Sequence, residues 1–324
     1  MRAIIVTRHG GPEVLELQDV PDPQPGPGQL LVDVEAAGVN FRDIYEREGR
    51  GGYAADPPLG AGAEGAGAVA AVGEGVHEFK EGDRVAWSAA PAGYAEKVLV
   101  DEDKAVPVPD GVSTEVAAAA LLQGMTAQYL ATDTYAVQSG DDVLVHAAAG
   151  GVGLLLTQIV KLLGARVVAT TSSEEKAALA REAGADHTIG YDGFAERARE
   201  LLGNRGVAVV YDGIGRATFD ESLAALRPRG TMVLYGAASG PVEPFDPARL
   251  HHGGALYLTR PGLPYYTATR HELLSRAAQV FGWIADRRLH VRIGARYPLA
   301  DARRAQEDLA GRRTTGKLIL DPKA

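Results

Sequence analysis

The sequence predicts an α/β chain of two domains, one a barrel-like β domain and the other a doubly wound parallel sheet. Three observations predict it. The chain has 324 residues, more than one hydrophobic core comfortably serves. Residues 1 to about 122 carry short β-type runs broken by glycine and proline. After them the rhythm changes to apolar strands separated by helix-compatible segments.

In the first part, "AIIVT", "LLVDVEAAGV", "AGAVAAVG" and "DRVAWSA" are the strand candidates. The stretches "PDPQPGPGQ", "DPPLGAG" and "GEGVHEFKEG" separate them as turn-rich loops. Many short strands with Gly/Pro turns are the pattern of a barrel-like domain. In the second part, strand candidates recur at Val143–Val145, Val167–Ala169, His187–Ile189, Val207–Tyr211, Met232–Tyr235 and Leu256–Leu258. Apolar strands with helices between them are covered on both faces, which makes the sheet parallel. Beyond Pro261 come a helix-like "HELLSRAAQVFGWIADRR" and a strand-like "GKLIL". This tail is expected to rejoin the first domain, giving residues 1–122 with 263–324 as one domain and 123–262 as the other.

Composition narrows the function. Apolar residues make up 46% and charged residues 23%, with a net charge of −9. An acidic chain without a Lys/Arg stripe is a poor ligand for polyanions, so nucleic acid and anionic membranes are not expected as partners. There is no cysteine, which removes disulfides, thiol catalysis, iron–sulfur clusters and Cys-ligated zinc. The apolar stretch in "MRAIIVTRHGG" is far shorter than a signal peptide needs, and no run approaches a membrane span. A soluble cytoplasmic protein is the expectation.

The stretch "DDVLVHAAAGGVGLLLTQIVK", residues 141–161, carries the chemistry. Val143–Val145 begins the parallel sheet and Val152–Leu163 is its first helix, with Leu155, Ile159 and Leu162 on one face and Gly164 as the stop. Between strand and helix stands A-x-G-x-x-G, from Ala148 to Gly153, in place of G-x-G-x-x-G. Free N–H groups and the helix dipole there favour a pyrophosphate, and side chains would block its approach. The alternative is a tight turn for close helix–sheet packing, but the strand–turn–helix setting favours a dinucleotide.

An NAD site usually carries Asp or Glu at the end of the second strand. Here "ARVVATTSS" ends in Thr170, Thr171, Ser172 and Ser173, and Lys176 follows. Hydroxyls and an ammonium suit a 2′-phosphate, which favours NADPH. Glu174 and Glu175 complicate this, but Ser172 with Glu175 reads as a helix capping box.

The run "G-D-x-x-L-x-x-x-A-A-G-G-V-G-x4-Q-x-x-K", Gly140 to Lys161, resembles the quinone oxidoreductase/zeta-crystallin branch of the medium-chain dehydrogenase/reductases. So do "AGVNFRDIY", "GDRV", "VVYDGIGRATFDESLAALRPRGTMVLYG", "LYLTRP" and "RRTTGKLIL", so the likeness covers essentially the whole chain. It implies a GroES-like β-barrel domain plus a Rossmann domain. The zinc members have a cysteine where this chain has Asn40 and a histidine where it has Ala63, and nothing near Leu122–Gly124 supplies a third ligand. The loop for a structural zinc is missing and none of the eight histidines has ligand spacing, so no metal is expected.

Without a Lewis acid, oxidising an unactivated alcohol is difficult. Reducing a quinone or conjugated enone needs only its oxygen stabilised as charge develops. By resemblance, Asn40 hydrogen-bonds cofactor ribose or substrate oxygen. Tyr45 orients the nicotinamide or donates to the substrate oxygen; its other reading is a barrel tyrosine. Tyr53 is a candidate to close over substrate, and the hydroxyl of Thr126 suits the nicotinamide. Arg260 is either electrophilic or structural. Gly150, Gly151 and Val152 are assigned to the pyrophosphate, and Ser172, Lys176 and Tyr191 to the 2′-phosphate pocket. Tyr235 and Gly236 line the groove at a strand end, and Arg312 matches a further contact or is a surface arginine. No residue stands out as a general acid.

The alternatives are an NADPH-dependent alkene (enone/enoyl) reductase and a non-enzymatic NADPH- or RNA-binding crystallin-like protein. The acidic charge argues against the RNA-binding form. The last strand, "GALYLTRP", falls at a sheet edge, and an edge of this kind tends to be covered, so a homodimer is expected.

Overall fold

The computed structural model describes residues 1–50 and 55–324. The chain forms two compact units, residues 1–122 with 267–324, and residues 123–266.

The first unit opens with β1 (Arg2–Val6) and β2 (Leu15–Asp19), an antiparallel pair. A long strand, β3 (Gln29–Val39), leads into α1 (Phe41–Arg47). The strands β4 (Leu59–Gly60), β5 (Glu64–Val72), β6 (Arg84–Trp87), β7 (Lys97–Asp101) and β8 (Val106–Pro107) follow. β3 pairs with β5 from Leu30↔Val72 to Gly38↔Glu64, with register shifts after Leu31 and Val34. Such irregularities bend a strand and increase its twist. Gly67 is required by this closeness: a Cβ there would lie 2.0 Å from Asp33 O. Leu30, Val32, Val34, Trp87, Val98 and Val100 form the core of the unit.

Helix α2 (Thr114–Tyr129) contains the division at Leu122/Gln123. The second unit then alternates β9 (Asp142–Val145), α3 (Gly151–Leu162), β10 (Arg166–Thr170), α4 (Glu174–Glu182), β11 (His187–Ile189) and α5 (Phe194–Leu201). It continues with β12 (Val207–Asp212), α6 (Phe219–Ala225), β13 (Leu226–Leu234), α7 (Ala248–His252) and β14 (Tyr257–Thr259). The sheet order is β11-β10-β9-β12-β13-β14 and every pairing is parallel. All of Val143, Leu144 and Val145 are fully buried, as the unbroken apolar runs predict for strands covered on both faces. The chain leaves β9 toward β10 on one side and later places β12 on the other. That reversal is where open α/β sheets bind ligands, at the carboxyl ends of the strands.

Two local readings need correction. Leu155 and Ile159 are buried, but Leu162, in the last turn of α3, is 37% exposed. β13 begins at Leu226, well before Met232, and its first turn-like stretch holds Arg229 at a φ of 61°.

The tail forms α8 (Arg270–Ala285), β15 (Ile293–Pro298), α9 (Ala302–Ala310) and β16 (Lys317–Asp321). A capping box of Thr269 and Glu272 starts α8. β16 pairs antiparallel with β3, from Leu318↔Val39 to Leu320↔Ala37, and parallel with β15. Lys317 is thereby carried to the β3–α1 junction.

Candidate active site

Each unit holds one buried polar centre. In the first, β3 delivers Asn40, which caps α1 with an extended backbone. The Asn40 backbone N–H donates to Asp43 Oδ2 at 2.8 Å, a reach of three residues that the first helical turn provides. The register Gly38↔Glu64 sets the β5 carboxylate beside it, and β16 brings Lys317. Asn40 Nδ2 donates to Glu64 Oε2 at 2.8 Å and to Gly38 O at 3.3 Å. Lys317 Nζ donates to Asn40 Oδ1 at 2.7 Å and also to Glu64 Oε2. Glu64 Oε1 accepts from Leu122 N at 2.6 Å. Asn40, Glu64 and Lys317 are 4%, 0% and 1% exposed.

Asp43 extends this centre. Tyr94 OH donates to its Oδ2 at 2.7 Å, and burial pushes the Asp43 carboxyl up to about 6 against the pull of Arg42, Tyr94, Asn40 and Lys317. Burial, with Asp43 second, raises the Tyr94 phenol well above its ordinary value. Arg47 Nη1 donates to Gln306 Oε1 at 2.7 Å, joining α1 to α9. Tyr45 is half-buried on α1, its ring 6.3 Å from Phe41 and under the Arg50 guanidinium at 5.3 Å. Arg312 is exposed at a φ of 56°. Tyr53 lies outside the described residues.

In the second unit the turn Ala147–Gly150 joins β9 to α3. Its end is closed by a Gly150 N–H to Ala147 O bond of 2.8 Å, and no side chain caps α3. The glycines differ in what they permit. A Cβ on Gly153 would lie 2.4 Å from Ala147 O, and one on Gly151 would lie 1.9 Å from Gln123 Oε1. A Cβ on Gly150 would meet only Ala147 O, at 3.1 Å, a tight contact but a milder one than at Gly151 or Gly153. No side chain caps the first turn of α3 at Gly151 and Val152, a setting that fits a dinucleotide phosphate.

Tyr191 stands at this turn, its OH accepting from Ala147 N at 3.1 Å. Lys176 Nζ donates to Ser172 Oγ at 3.3 Å, so these two come together. The cap of α4 is Ser173, whose Oγ accepts from Lys176 N; the capping box expected from Ser172 is not formed, and the Ser172 hydroxyl serves Lys176 instead. Tyr235 N and Gly236 N both donate to Asp212 O, at 2.8 and 3.3 Å, packing the β13 end against Gly213. Thr126 is 8% exposed on α2. Arg260 is exposed and its Nη1 donates to Leu234 O at 2.9 Å, tying β14 to the end of β13.

Sequence reasoning missed several members. Beneath the glycine turn, fully buried His146 contacts Thr170 Oγ1 at 2.8 Å and Ser222 Oγ at 2.9 Å. Asp212 accepts from Ser222, Thr218 and the amides of Ile214 and Gly215. Glu64 and Lys317 were the signal-poor members of the first unit, each an isolated charge in a strand. Among the described residues, no group of three or more His, Cys, Asp or Glu is placed to hold a metal ion. No helix among them is long and apolar enough to cross a membrane.

Residues 26–142 match the alcohol dehydrogenase GroES-like domain and residues 151–261 the zinc-binding dehydrogenase domain. A quinone oxidoreductase of Pseudomonas aeruginosa is 46% identical over 97% of this chain and 97% of its own. A 2-haloacrylate reductase of a Burkholderia species is 40% identical over 99% of each. A mycobacterial protein solved in complex with NADPH superposes with a TM-score of 0.96 at 51% identity, covering 99% of this chain and 100% of that one.

Proposed function

We propose that this chain, which belongs to the quinone oxidoreductase family of the medium-chain dehydrogenase/reductases, reduces quinones with NADPH by hydride transfer. The observation that carries the reading is end-to-end likeness to quinone oxidoreductases. The side-chain-free start of α3 supports it.

When bound, NADPH supplies the hydride. The amides of Gly150, Gly151 and Val152 would hold its pyrophosphate, and Ser172, Lys176 and Tyr191 its 2′-phosphate. Thr126, Tyr235 and Gly236 would hold the nicotinamide half, with Arg312 as a further contact. Arg260 is structural in this reading, because its guanidinium holds a strand end.

In this reading Asn40, held between Glu64 and Lys317, contacts cofactor ribose or a substrate oxygen, and Tyr45 orients the nicotinamide or donates to the substrate oxygen as charge develops on it. No residue of the chain is needed to activate an alcohol, and the position of a zinc-ligating histidine is Ala63.

We also infer a cytoplasmic homodimer. A chain without cysteine has no disulfide that would require an oxidising compartment. β14 is a sheet edge with Tyr257 62% exposed, and pairing with a second copy would cover it. Sedimentation of the protein and of Tyr257→Lys tests this: a dimer that the substitution dissociates is expected, and a monomeric parent would refute it.

The test of function is NADPH oxidation with 1,4-benzoquinone in the presence of a chelator, beside an NADH control. Turnover preferring NADPH is expected. The second reading, alkene reduction, is favoured by the 2-haloacrylate reductase relative. Failure with benzoquinone but turnover with 2-chloroacrylate would establish it instead.

A further inference from the structure

Ala147 opens the glycine turn with a φ of 49°, in the left-handed region where a Cβ is disfavoured. Glycine takes this conformation without penalty, yet the chain holds alanine here and places its glycines at 150, 151 and 153. A residue kept in such a conformation is held by its surroundings, and residues of this kind cluster where a ligand is bound. Successive amides hold it. His146 N donates to Tyr211 O of β12 at 3.1 Å, Ala147 N to Tyr191 OH at 3.1 Å, and Ala148 N to Thr170 O of β10 at 3.2 Å.

The His146 ring underlies these anchors. Its nitrogens meet Thr170 Oγ1 at 2.8 Å and Ser222 Oγ at 2.9 Å. The Phe194 ring stands across it at 4.7 Å and 83°, and the Tyr191 ring lies 6.1 Å away at 21°. The residue that takes the Ala147 amide therefore stacks on the imidazole, and the residue that takes the Ala148 amide is hydrogen-bonded to it. An apolar side chain could fill a buried place beneath a turn. A ring engaged at both nitrogens is also pinned in one orientation, because a satisfied buried polar network rigidifies what it touches.

We propose that His146 is a positioning residue for NADPH, holding Ala147 in its left-handed backbone and so setting the first turn of α3 before the cofactor arrives. This rests on the reading that places the pyrophosphate at that turn. His146 is fully buried and touches no cofactor atom in this role; it acts through Tyr191, Thr170 and the backbone. A turn set in advance spares the cofactor the cost of ordering it.

A double-mutant cycle of His146→Gln and Ala147→Gly tests it, read by NADPH fluorescence titration, melting temperature, and kcat with benzoquinone at saturating NADPH. Glycine accepts a φ of 49°, so Ala147→Gly should melt no lower than the parent. It should nevertheless raise the Kd for NADPH on the order of 2- to 5-fold, the weight of a glycine's extra freedom. His146→Gln has no ring to carry Tyr191. It should raise Kd on the order of tenfold, the worth of about one hydrogen bond, and leave kcat within about 2-fold. In the Ala147→Gly background the same change should cost less than about 3-fold, because the turn is already loose. Losses that multiply would make His146 structural and overturn the proposal, as would a folded His146→Gln protein with the parent Kd. An Ala147→Gly protein with unchanged Kd would overturn it too, since the turn would not be set in advance. Gly150→Ala separates the proposal from the reading beneath it. If that variant leaves Kd unchanged, the pyrophosphate lies elsewhere and both fall; if it weakens NADPH while His146→Gln does not, the proposal alone falls. If His146→Gln fails to fold, Ser222→Ala enters the cycle, removing the ring's contact with α6. Failure of both to fold would assign the network to structure and likewise overturn the proposal.

Discussion

His146 Nε2 lies 2.9 Å from Ser222 Oγ, and that contact determines where the protons sit along a buried chain. Ser222 donates its one hydroxyl hydrogen to Asp212 Oδ2 at 3.0 Å, so it must accept from His146 Nε2–H. His146 Nδ1 is then the acceptor for Thr170 Oγ1–H. Every donor is used once with a neutral imidazole. The chain ties the ends of β10, β9 and β12 to α6, one residue before the glycine turn.

A pH dependence follows. Burial pushes His146 down from 6.5 to about 4, with Asp212 opposing. Between these values the unfolded chain binds a proton that the folded chain refuses. The stability is complete above pH 6.5 and is lost as pH falls through 4, by roughly 3 kcal/mol in full. Urea denaturation of the protein and of His146→Gln from pH 7.5 to 4 should show a steeper acid loss in the parent. Parallel curves would refute the buried neutral imidazole.

The glycines of the turn should separate binding from folding. Gly153→Ala forces a Cβ to 2.4 Å from Ala147 O and 2.7 Å from Ala148 Cα, so it should destabilise the protein by about 1–3 kcal/mol, as overpacking does. Gly150→Ala meets only Ala147 O, at 3.1 Å, which the turn must relax by a few tenths of an ångström, so it should cost less thermal stability than Gly153→Ala. Its methyl group would project where a phosphate must approach, so NADPH affinity should fall at least tenfold, measured by fluorescence titration. Unchanged affinity would show that the pyrophosphate does not lie there.

These contrasts also explain what the sequence could reveal. The parallel strands were readable because helices on both faces demand unbroken apolar runs, and the turn because Ala148 to Gly153 lacks bulk in a fixed strand–turn–helix setting. The Glu64–Lys317 pair was not readable. The residues are 253 positions apart, and no periodicity marks a charge whose partner comes from a distant strand. "GAEGAG" drew notice for Ala63, while its neighbour Glu64 makes the contact. His146 was hidden for a related reason. A histidine after a strand looks the same whether solvated or buried until Thr170, Ser222 and Asp212 are assembled around it.

Cofactor preference tests the other end of the second unit. Lys176 Nζ and Ser172 Oγ, 3.3 Å apart, form a cationic and hydroxyl pair at the end of β10, where no carboxylate ends the strand. Lys176→Ala should raise KM for NADPH about tenfold and leave NADH nearly unchanged, since only the former carries the 2′-phosphate. Equal losses with both cofactors would sink the assignment.

Asp43 should titrate in the opposite sense to His146. Tyr94 OH and Asn40 N–H both point at its Oδ2, yet burial dominates and raises the carboxyl from 3.8 to about 6. The folded chain therefore binds a proton between these values that the unfolded chain does not. A raised carboxyl pKa makes folding less favourable as pH climbs from 3.8 through 6, and the full cost stands above that range. Asn at this position keeps an acceptor for both donors without a buried charge. Relative to the parent, the melting temperature of Asp43→Asn should therefore improve as pH rises from 4 to 6.5 and level off above it. Differential scanning calorimetry across that range measures the difference directly. A constant offset would mean that Asp43 does not change protonation between the folded and unfolded chain. A difference that shrinks with rising pH would mean that the hydrogen bonds outweigh burial and that the carboxylate is stabilised where it sits.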